Sequence, residues 1–491
     1  MNEKHSWWQL SQKTADILWI ILIALLPITS MPVIARLLGS DTVAAPSILV
    51  VFLMAVVWFV PYILRRGRMV KESVPLLVFV TVALASTILA NFYIIPAYKD
   101  VPYLSNSIEA FITLLIGVVF FLLTSSYLQD EKKALLTLKV LNWSGVVMLL
   151  WTGFQVVAWH GFGHYPGWMF DLQGLISSRV LYRQRVNGLA LEPSWFAHQL
   201  NMVYLPIWLA ATIKGVSAYK KRLGFLTMEN ILLAAGVGAL LLTLSRVGLL
   251  AFVLMFTYLF IKLHAFLVQK VTAALQKRKK DGSSLQKKRV ATLISIVFIF
   301  LYLLVIAAGL YLFSKVDPRM ASLFDFSVGK DNPLLAYFNE LSFGERVVYW
   351  LAGWDVFTEH PILGVGLGNA GFYFPKAITP YGWNLIEVRR LAYRTSILLN
   401  VKSLWARLLA ETGLVGFAIF GGWLYSLGRK FVKRAEIRKN MTGLFALSGI
   451  FVLCALLAEG FSIDSFAMPY MWIALGFAAA DLDLPYGRKE G

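Results

Sequence analysis

Long apolar runs separated by short polar segments recur along the whole chain. Twelve of them approach the ~20 residues that a helix needs to cross a bilayer. This pattern predicts an all-α polytopic membrane protein with about 12 transmembrane helices, organised as a single transmembrane domain over residues 1–491. The runs cover roughly 17–38, 46–64, 74–95, 108–127, 135–159, 189–213, 229–244, 247–268, 291–313, 403–428, 441–458 and 464–481.

The composition agrees with lipid as the main solvent of this chain. Charged residues make up 15% of the sequence, whereas a soluble domain carries about 25%. The one cysteine, Cys454, lies inside an apolar run, so no disulfide framework is expected.

The positions of lysine and arginine predict how the chain is oriented. Basic residues are dense in alternate connections, above all in a loop over 270–289, whereas the short turns 39–46 and 96–107 contain only Lys99. Because positive charge is retained in the cytoplasm, both termini and this basic loop are predicted inside. Two longer segments, an outer loop over 160–188 and a large outer loop over 314–402, are predicted outside. The same asymmetry accounts for most of the net charge of +19 without a nucleic-acid partner.

The stretch GVGLGNAG imitates the G-x-G-x-x-G fingerprint of dinucleotide-binding proteins at Gly366, Gly368 and Gly371. That fingerprint works only between a strand and a helix, and no strand is predicted before these glycines. We therefore interpret them as glycines required by a tight turn.

A helix is predicted immediately before this turn, in the large outer loop. Ser342 to Glu345 has the form of a capping box, and Pro361 ends the helical pattern. The apolar positions on one face suggest a helix at the outer membrane interface. They are Val347, Trp350, Leu351, Trp354 and Phe357.

No metal or other cofactor is expected. Asp481-Leu482-Asp483 imitates a metal-binding Asp-x-Asp, but it follows the last apolar run, away from other candidate ligands. We interpret it as a polar helix end. No cluster of histidine and cysteine has zinc-site spacing.

Arginines on the predicted outer face are the strongest chemical signal. Positive charge is normally scarce there, and a guanidinium group binds phosphate oxygens through two hydrogen bonds at any pH. The set therefore suggests a diphosphate ligand. The alternative is that each arginine is an interfacial anchor or an ion-pair partner, as Arg407 and Glu411 could be at i,i+4. The basic residues concerned are Arg185, Arg246, Arg346, Lys402 and Arg407.

Glu192-Pro193 starts a predicted transmembrane helix, which puts the carboxylate at the outer boundary. It could act as a general base or as a helix-capping carboxylate. His198, further along this helix, is interpreted as a buried core histidine.

Four segments resemble the O-antigen ligase and polymerase family. Arg185 to His198 resembles its R-x-x-G-x-x-x-E-P segment, and Thr243-Leu-Ser-Arg246 resembles its T-x-S-R segment. Arg346 to Gly368 is similar to the R-x-x-x-W … P-x-x-G-x-G-x-G loop, and Glu411 to Gly416 is similar to the E-x-G-x-x-G helix.

The resemblance implies a C-type glycosyltransferase fold that works without a metal on the outer face of the cytoplasmic membrane. Such proteins transfer a glycan from polyprenyl diphosphate to an acceptor glycan and release lipid diphosphate. Membrane lipids, a flippase and a chain-length regulator are the further partners implied. The resemblance and the residue chemistry together assign catalysis to Glu192 and Arg246 and diphosphate binding to Arg185, Arg346, Lys402 and Arg407. Glu411 and His198 have supporting roles.

One departure favours a polymerase over a ligase. Ligases often have His-Asn where this chain has Lys402-Ser403. A ligase remains the alternative, as does a transporter of an anion or of the lipid-linked glycan. A transporter should show repeated halves and ionisable residues near the bilayer midplane, and neither pattern is visible.

Overall fold

The computed structural model describes residues 2–40, 44–220, 222, 224, 226–277, 284–316, 344–437 and 440–482. Within these residues every regular element is a helix, as the apolar pattern predicts. The helices of the first half are α1 (Asn2–Ala24), α2 (Pro32–Leu38), α3 (Pro46–Leu64), α4 (Ser73–Phe92), α5 (Tyr103–Tyr127), α6 (Glu131–Gly161), α7 (Gly167–Ile176), α8 (193–214) and α9 (Met228–Leu242).

The second half continues with helices of more varied length. They are α10 (Arg246–Met255), α11 (Thr257–Lys277), α12 (Ser284–Val316), α13 (Gly344–Glu359), α14 (Ala370–Ala377), α15 (Ile386–Tyr393), α16 (Leu404–Ile437), α17 (Met441–Glu459) and α18 (Pro469–Ala479).

Each predicted apolar run coincides with helical structure. Seven helices among the described residues are long and apolar enough to cross a membrane, and α9 and α18 are shorter apolar helices. The protein is therefore a membrane protein, while the number of twelve spans stays a prediction. The first run is not one helix, because α1 ends at Ala24 and α2 starts at Pro32.

Three predicted loops contain more helix than the sequence suggested. The 160–188 segment includes α7, and the described part of 314–402 includes α13, α14 and α15. Most of the basic 270–289 segment belongs to α11 and α12. Long charged side chains hydrate readily on a helix surface, so a basic run does not by itself indicate a loop.

Helix α13 exists as predicted, and the face that it buries is not the apolar face predicted for the membrane interface. Val348, Tyr349, Ala352 and Val356 are buried, whereas Leu351 and Trp354 of the predicted apolar face are 45% and 54% exposed. The predicted face is therefore available to the membrane interface rather than used for packing. The first residues of the predicted capping box, 342–343, lie outside the described residues.

The chain divides into two compact units, and the single transmembrane domain over residues 1–491 stays a prediction. The first contains Met1–Met255, Ala352–Ala377 and Ser396–Gly491, and the second contains Phe256–Leu351 and Ile378–Thr395. In the first unit, α17 is the central helix and packs against α8, α10, α16 and α18. In the second unit, α11 packs against α12.

Helix α16 is interrupted at Gly413, whose φ of 63° and ψ of −168° are not helical. The interruption frees backbone N–H groups, and a preceding segment of the chain satisfies them. Leu414 donates to the carbonyl of Pro361 at 2.8 Å, and Val415 donates to that of Ile362 at 3.2 Å. These two hydrogen bonds stabilise the break, because buried backbone N–H groups need hydrogen-bond partners.

The far end of α16 is fixed by ion pairs. Lys430 Nζ lies 2.6 Å from Glu72 and 3.1 Å from Asp481, and Arg434 also pairs with Asp481. This cluster joins α16 to the start of α4 and to the residues after α18. Asp481 is thus an ion-pair partner, in line with the polar helix end predicted from the sequence. Among the described residues, no group of His, Cys, Asp and Glu could hold a metal ion.

Candidate functional site

The glycine-rich turn passes between three helices at the opposite end of α16. Gly364, Gly366 and Gly368 have φ values of 68°, 83° and 79°, which favour glycine. A Cβ on Gly364 would lie 2.5 Å from the carbonyl carbon of Glu411, and one on Gly371 would lie 2.2 Å from the carbonyl oxygen of Leu399. These glycines are required for backbone clearance, so the tight-turn interpretation is confirmed.

Hydrogen bonds hold this turn against α4, α5 and α16. The backbone of Gly366 donates to the carbonyl of Glu411 on α16 at 3.0 Å, and that of Leu367 donates to the hydroxyl of Thr87 on α4 at 3.1 Å. The Asn106 side chain on α5 donates to the Gly368 carbonyl at 2.6 Å, and Ser107 donates to Asn369 at 2.9 Å. The turn therefore forms a fixed floor rather than a mobile loop.

A cavity of about 510 Å³ opens above this floor. Carboxylate, amide and hydroxyl groups mix in its wall with aliphatic side chains from α5 and from residues 397–399. Such a lining matches the alternating hydroxyl and ring surfaces of a glycan better than a highly charged anion. The polar side chains that line it are Ser40, Asn106, Glu109, Thr113, Asn400, Arg407, Glu411, Asp464 and Ser465.

Arg407 and Glu411 form the central ion pair of the cavity. Arg407 Nε lies 2.9 Å from Glu411 Oε2, and the two side chains are only 14% and 6% exposed. Arg407 Nη1 also donates to the carbonyl of Asp464 at 2.7 Å, and the guanidinium lies 4.8 Å from the ring centre of Phe466. The Glu411 carboxylate accepts a further hydrogen bond from the backbone of Gly368. The pair anticipated at i,i+4 is present, and it anchors Arg407 within the protein.

Lys402 and Ser403 lie directly before α16. Lys402 has a φ of 53°, and its backbone N–H donates to Asp464 Oδ2 at 3.2 Å. The buried Ser403 hydroxyl donates to the carbonyl of Gly460 at 3.1 Å and accepts from the backbone of Ala406 at 3.4 Å. Ser403 therefore caps α16, a role typical of serine at this position.

Glu192 precedes Pro193 at the start of α8, as predicted. Its side chain makes no capping hydrogen bond; instead, it lies 3.5 Å from Arg179 Nη1 and is 30% exposed. Arg179 in turn lines a second recess of about 340 Å³ together with Arg36. The carboxylate is thus paired and accessible, and the capping alternative is not what the structure shows.

Arg185 and Arg246 lie at the turn between α9 and α10. Arg185 Nε donates to the carbonyl of Thr243 at 2.8 Å, and Arg246 is the first residue of α10. The boundary between the predicted runs 229–244 and 247–268 is confirmed, because α9 ends at Leu242 and α10 begins at Arg246. Neither arginine lines the 510 Å³ cavity, whose wall includes only Arg407 of the predicted arginine set.

Residues 231–421 match the family model described as O-antigen ligase. This match supports assignment to the O-antigen ligase and polymerase family. No curated protein matches the chain. The O-antigen ligase match contains Arg246, Arg346, Lys402, Arg407 and Glu411, whereas the Arg185–His198 segment precedes it.

His198 is buried, as predicted, but it is joined to a carboxylate that the sequence did not reveal. Its Nδ1 lies 3.0 Å from Glu459 Oε2 at the end of α17. Asn201 donates to Glu459 Oε1 at 2.9 Å and to the carbonyl of Gly248 at 2.7 Å. The cluster therefore ties α8 and α17 to the first turn of α10, which carries Arg246.

Arg346 belongs to the first turn of α13, in the second compact unit. The structure therefore separates the predicted residues into groups. Arg407, Glu411 and the Lys402 backbone surround Asp464, while Arg185 contacts the α9–α10 turn that Arg246 follows. Asp464 and Glu459 were missed because each is a single acidic residue without a motif. Their one signal was acidity at the edge of an apolar run, which is costly and often functional.

Proposed function

We propose that this protein is a polysaccharide polymerase that uses a glycan carried on polyprenyl diphosphate. It would join repeat units of O-antigen, capsule or exopolysaccharide on the outer face of the cytoplasmic membrane and release lipid diphosphate. The observation that carries the proposal is the polar cavity, part of whose wall, the glycine-rich turn and the Arg407–Glu411 pair, lies within the region matched to O-antigen ligase. Membrane-spanning helices around it supply the setting that a lipid-linked donor needs.

In this proposal, fixed arginines bind the donor diphosphate. Arg185 donates to the carbonyl of Thr243 in the turn that precedes Arg246. Arg346 belongs to the second unit, and its part in diphosphate binding stays a prediction from the sequence. Guanidinium groups can stabilise the charge that develops on the departing diphosphate. Arg407 has a different task from the one the sequence suggested, because Glu411 and Asp464 already engage its donors. We assign it to holding Glu411 and the cavity wall in place.

The cavity would receive the acceptor glycan. Carboxylates and amides accept and donate hydrogen bonds to sugar hydroxyls, and Glu109, Asn106 and Asn400 offer such groups. Glu192 would take the proton from the attacking hydroxyl as a general base, since its side chain is 30% exposed and lies at a helix start. The electron pair of that hydroxyl forms the new glycosidic bond, while the bond to the diphosphate oxygen breaks and the lipid diphosphate leaves.

The Lys402-Ser403 pair supports a polymerase over a ligase. Ser403 caps α16, so the residue at this position serves the helix rather than the reaction. Lys402 would remain a cation that binds phosphate or carboxylate. A ligase reaction that uses a histidine at this position would lack that histidine in this chain.

Transfer by the purified protein tests the proposal. The protein is reconstituted in liposomes with one defined polyprenyl-diphosphate oligosaccharide as both donor and acceptor. A polymerase produces a ladder of products spaced by one repeat unit and releases lipid diphosphate. Product only after addition of a lipid-anchored acceptor glycan would identify a ligase instead. Transmembrane movement of the donor without any new glycosidic bond would identify a transporter and refute both enzymatic assignments.

A further inference from the structure

An apolar groove of about 770 Å³ lies on the surface between α16 and α17. None of the residues assigned to catalysis or to diphosphate binding lines it. Tyr425 and Val432 on α16 and Leu453 and Leu457 on α17 form its walls. Trp405 closes one end, where its indole N–H donates to the carbonyl of Leu457 at 3.3 Å. The groove is therefore a defined apolar channel along the helices.

The other end of the groove is basic. Arg429 and Lys433 are exposed, lie one turn apart on α16 and line the groove, where Glu436 is the one acidic group. The neighbouring Lys430 and Arg434 point elsewhere, into the ion pairs with Glu72 and Asp481. Of these four basic residues of α16, Lys430 and Arg434 therefore form ion pairs within the protein, and Arg429 and Lys433 line the groove.

The dimensions of the groove fit one leaflet of a bilayer. From Leu424 to Glu436 the helix rises about 18 Å at 1.5 Å per residue. This is about half of the ~30 Å hydrocarbon core of a membrane, or slightly more. Because the basic end of α16 is predicted to be cytoplasmic, the groove would extend from the inner head-group region towards the bilayer centre.

We propose that this groove binds one anionic phospholipid of the cytoplasmic leaflet. An acyl chain lies against Val432, Leu453 and Leu457, and the phosphate head group meets Arg429 and Lys433. Basic pockets between transmembrane helices on the cytoplasmic side recognise anionic head groups in this way. The proposal rests on the membrane setting and on the groove, and it does not depend on the proposed glycosyl transfer.

Gly428 keeps the groove open beside the two cations. A Cβ at this helical position would meet only Leu453 Cδ1, at 3.4 Å, which is ordinary contact. A larger side chain would therefore enter the groove without a backbone clash. Gly428→Trp should fill the acyl-chain site while leaving both cations in place.

Cys454 provides a probe, because it lines the groove and is the one cysteine of the chain. The full-length protein, depleted of lipid in detergent, is mixed with phosphatidylglycerol or phosphatidylcholine, and the rate of Cys454 alkylation by a lipophilic maleimide is measured. We expect phosphatidylglycerol to protect Cys454 at a mole fraction about 10- to 30-fold lower than phosphatidylcholine, as two interfacial cations would give.

The variants separate the head group from the chain. Arg429→Gln/Lys433→Gln should lose the preference for phosphatidylglycerol, whereas Arg429→Lys/Lys433→Arg should keep it. In Gly428→Trp, alkylation should no longer respond to either lipid. The matched control, Lys132→Gln/Lys139→Gln on α6, removes the same charge from another predicted cytoplasmic end and should keep the preference.

Three results would overturn the proposal. One is equal protection by the two lipids in the wild-type protein. Another is a preference that survives Arg429→Gln/Lys433→Gln. The third is protection that rises with protein concentration in the absence of lipid, which would make a second copy of the chain the occupant.

Discussion

At the scale of single residues, the type of a residue suggests several roles, and only its contacts in the fold show which role it has. Gly366, Gly368 and Gly371 imitate a nucleotide-binding fingerprint, yet a Cβ at each of them would meet atoms of α4, α5 or the Leu399 backbone at 3.0 Å or less. Arginine at 407 imitates a phosphate ligand, yet its donors are engaged by Glu411 and Asp464. Residue type limits the possible roles, and the contacts decide among them.

Gly364→Ala should destabilise the protein. The left-handed φ and the approach of 2.5 Å to the backbone at Glu411 leave no room for a methyl group, at a cost on the order of 1–3 kcal/mol. We expect a lower apparent midpoint of thermal unfolding in detergent. Gly238→Ala on α9 is the control, since a Cβ there meets nothing within 4 Å. Equal midpoints for the two variants would contradict the steric role of the turn.

Arg185→Lys and Arg246→Lys should each lower transfer by roughly 10- to 100-fold, because a hydrogen bond to a charged group contributes about 1.5–3 kcal/mol. Lysine keeps the charge but loses the paired donors. Initial rates in the liposome assay, at matched expression, measure the effect. Arg66→Lys, predicted on the opposite side of the membrane, is the control. Wild-type rates for both outer variants would refute the diphosphate assignment.

Glu192→Gln should abolish turnover while donor binding persists, because the amide cannot accept the proton. Lys402→Arg should retain substantial transfer, and Lys402→Ala should weaken donor binding, since arginine keeps the positive charge assigned to donor binding and alanine removes it. Single-turnover rates and donor titrations separate the two effects. An inactive Lys402→Arg beside an active Glu192→Gln would reverse the assignment.

At the scale of elements, the apolar periodicity and the residues typical of helix ends predicted most of the helices. Pro193 after Glu192, the α9–α10 boundary and the helix ending before Pro361 all follow from local sequence. The packed face of α13 could not be predicted in this way, because aromatic residues suit a membrane interface as well as a core. The break in α16 was also missed, since its stabilising partners at Pro361 and Ile362 precede it by about 50 residues.

The ion-pair cluster at the far end of α16 should make stability depend on pH. Burial raises the pKa of Asp481, but the hydrogen bond from Arg434 and the charge of Lys430 outweigh it, so the pKa lies below the ordinary 3.8. A lowered carboxyl pKa contributes stability that is present above the ordinary pKa and is lost as the pH falls through the folded value.

Asp481→Asn should therefore unfold at a lower temperature than the wild-type protein at pH 7. The difference should narrow only below about pH 3.8, where the wild-type carboxylate becomes protonated. Thermal midpoints of both proteins across this range measure it. Asp171→Asn, an exposed position on α7, is the control. A difference independent of pH would assign Asp481 a role other than its charge.

At the scale of the whole molecule, the basic-residue pattern gives an orientation that the helical bundle alone does not. The glycine-rich turn and Asp464 lie at one end of α16, and the Lys430 cluster lies at the other. If the basic end is cytoplasmic, the cavity faces outwards, where a lipid-linked glycan would meet it. The resemblance to the O-antigen ligase family could be found from four short segments in order, whereas the grouping of their residues required the fold.

Cysteines placed at Asp171 and Lys132, in a background of Cys454→Ser, should report opposite sides. Both positions are exposed. We expect a membrane-impermeant maleimide to label Asp171→Cys in intact cells, and Lys132→Cys only after permeabilisation. The reverse pattern would place the cavity in the cytoplasm and exclude the proposed outer-face reaction.

The break in α16 also has a consequence for biogenesis. Its unpaired backbone groups are costly in lipid until the segment at 361–362 docks against them. The 361–362 segment is synthesised before α16, so it can dock only after α16 has left the ribosome and entered the membrane. We therefore expect α16 to insert as a continuous helix and to bend only afterwards, so that the cavity is completed among the last steps of assembly.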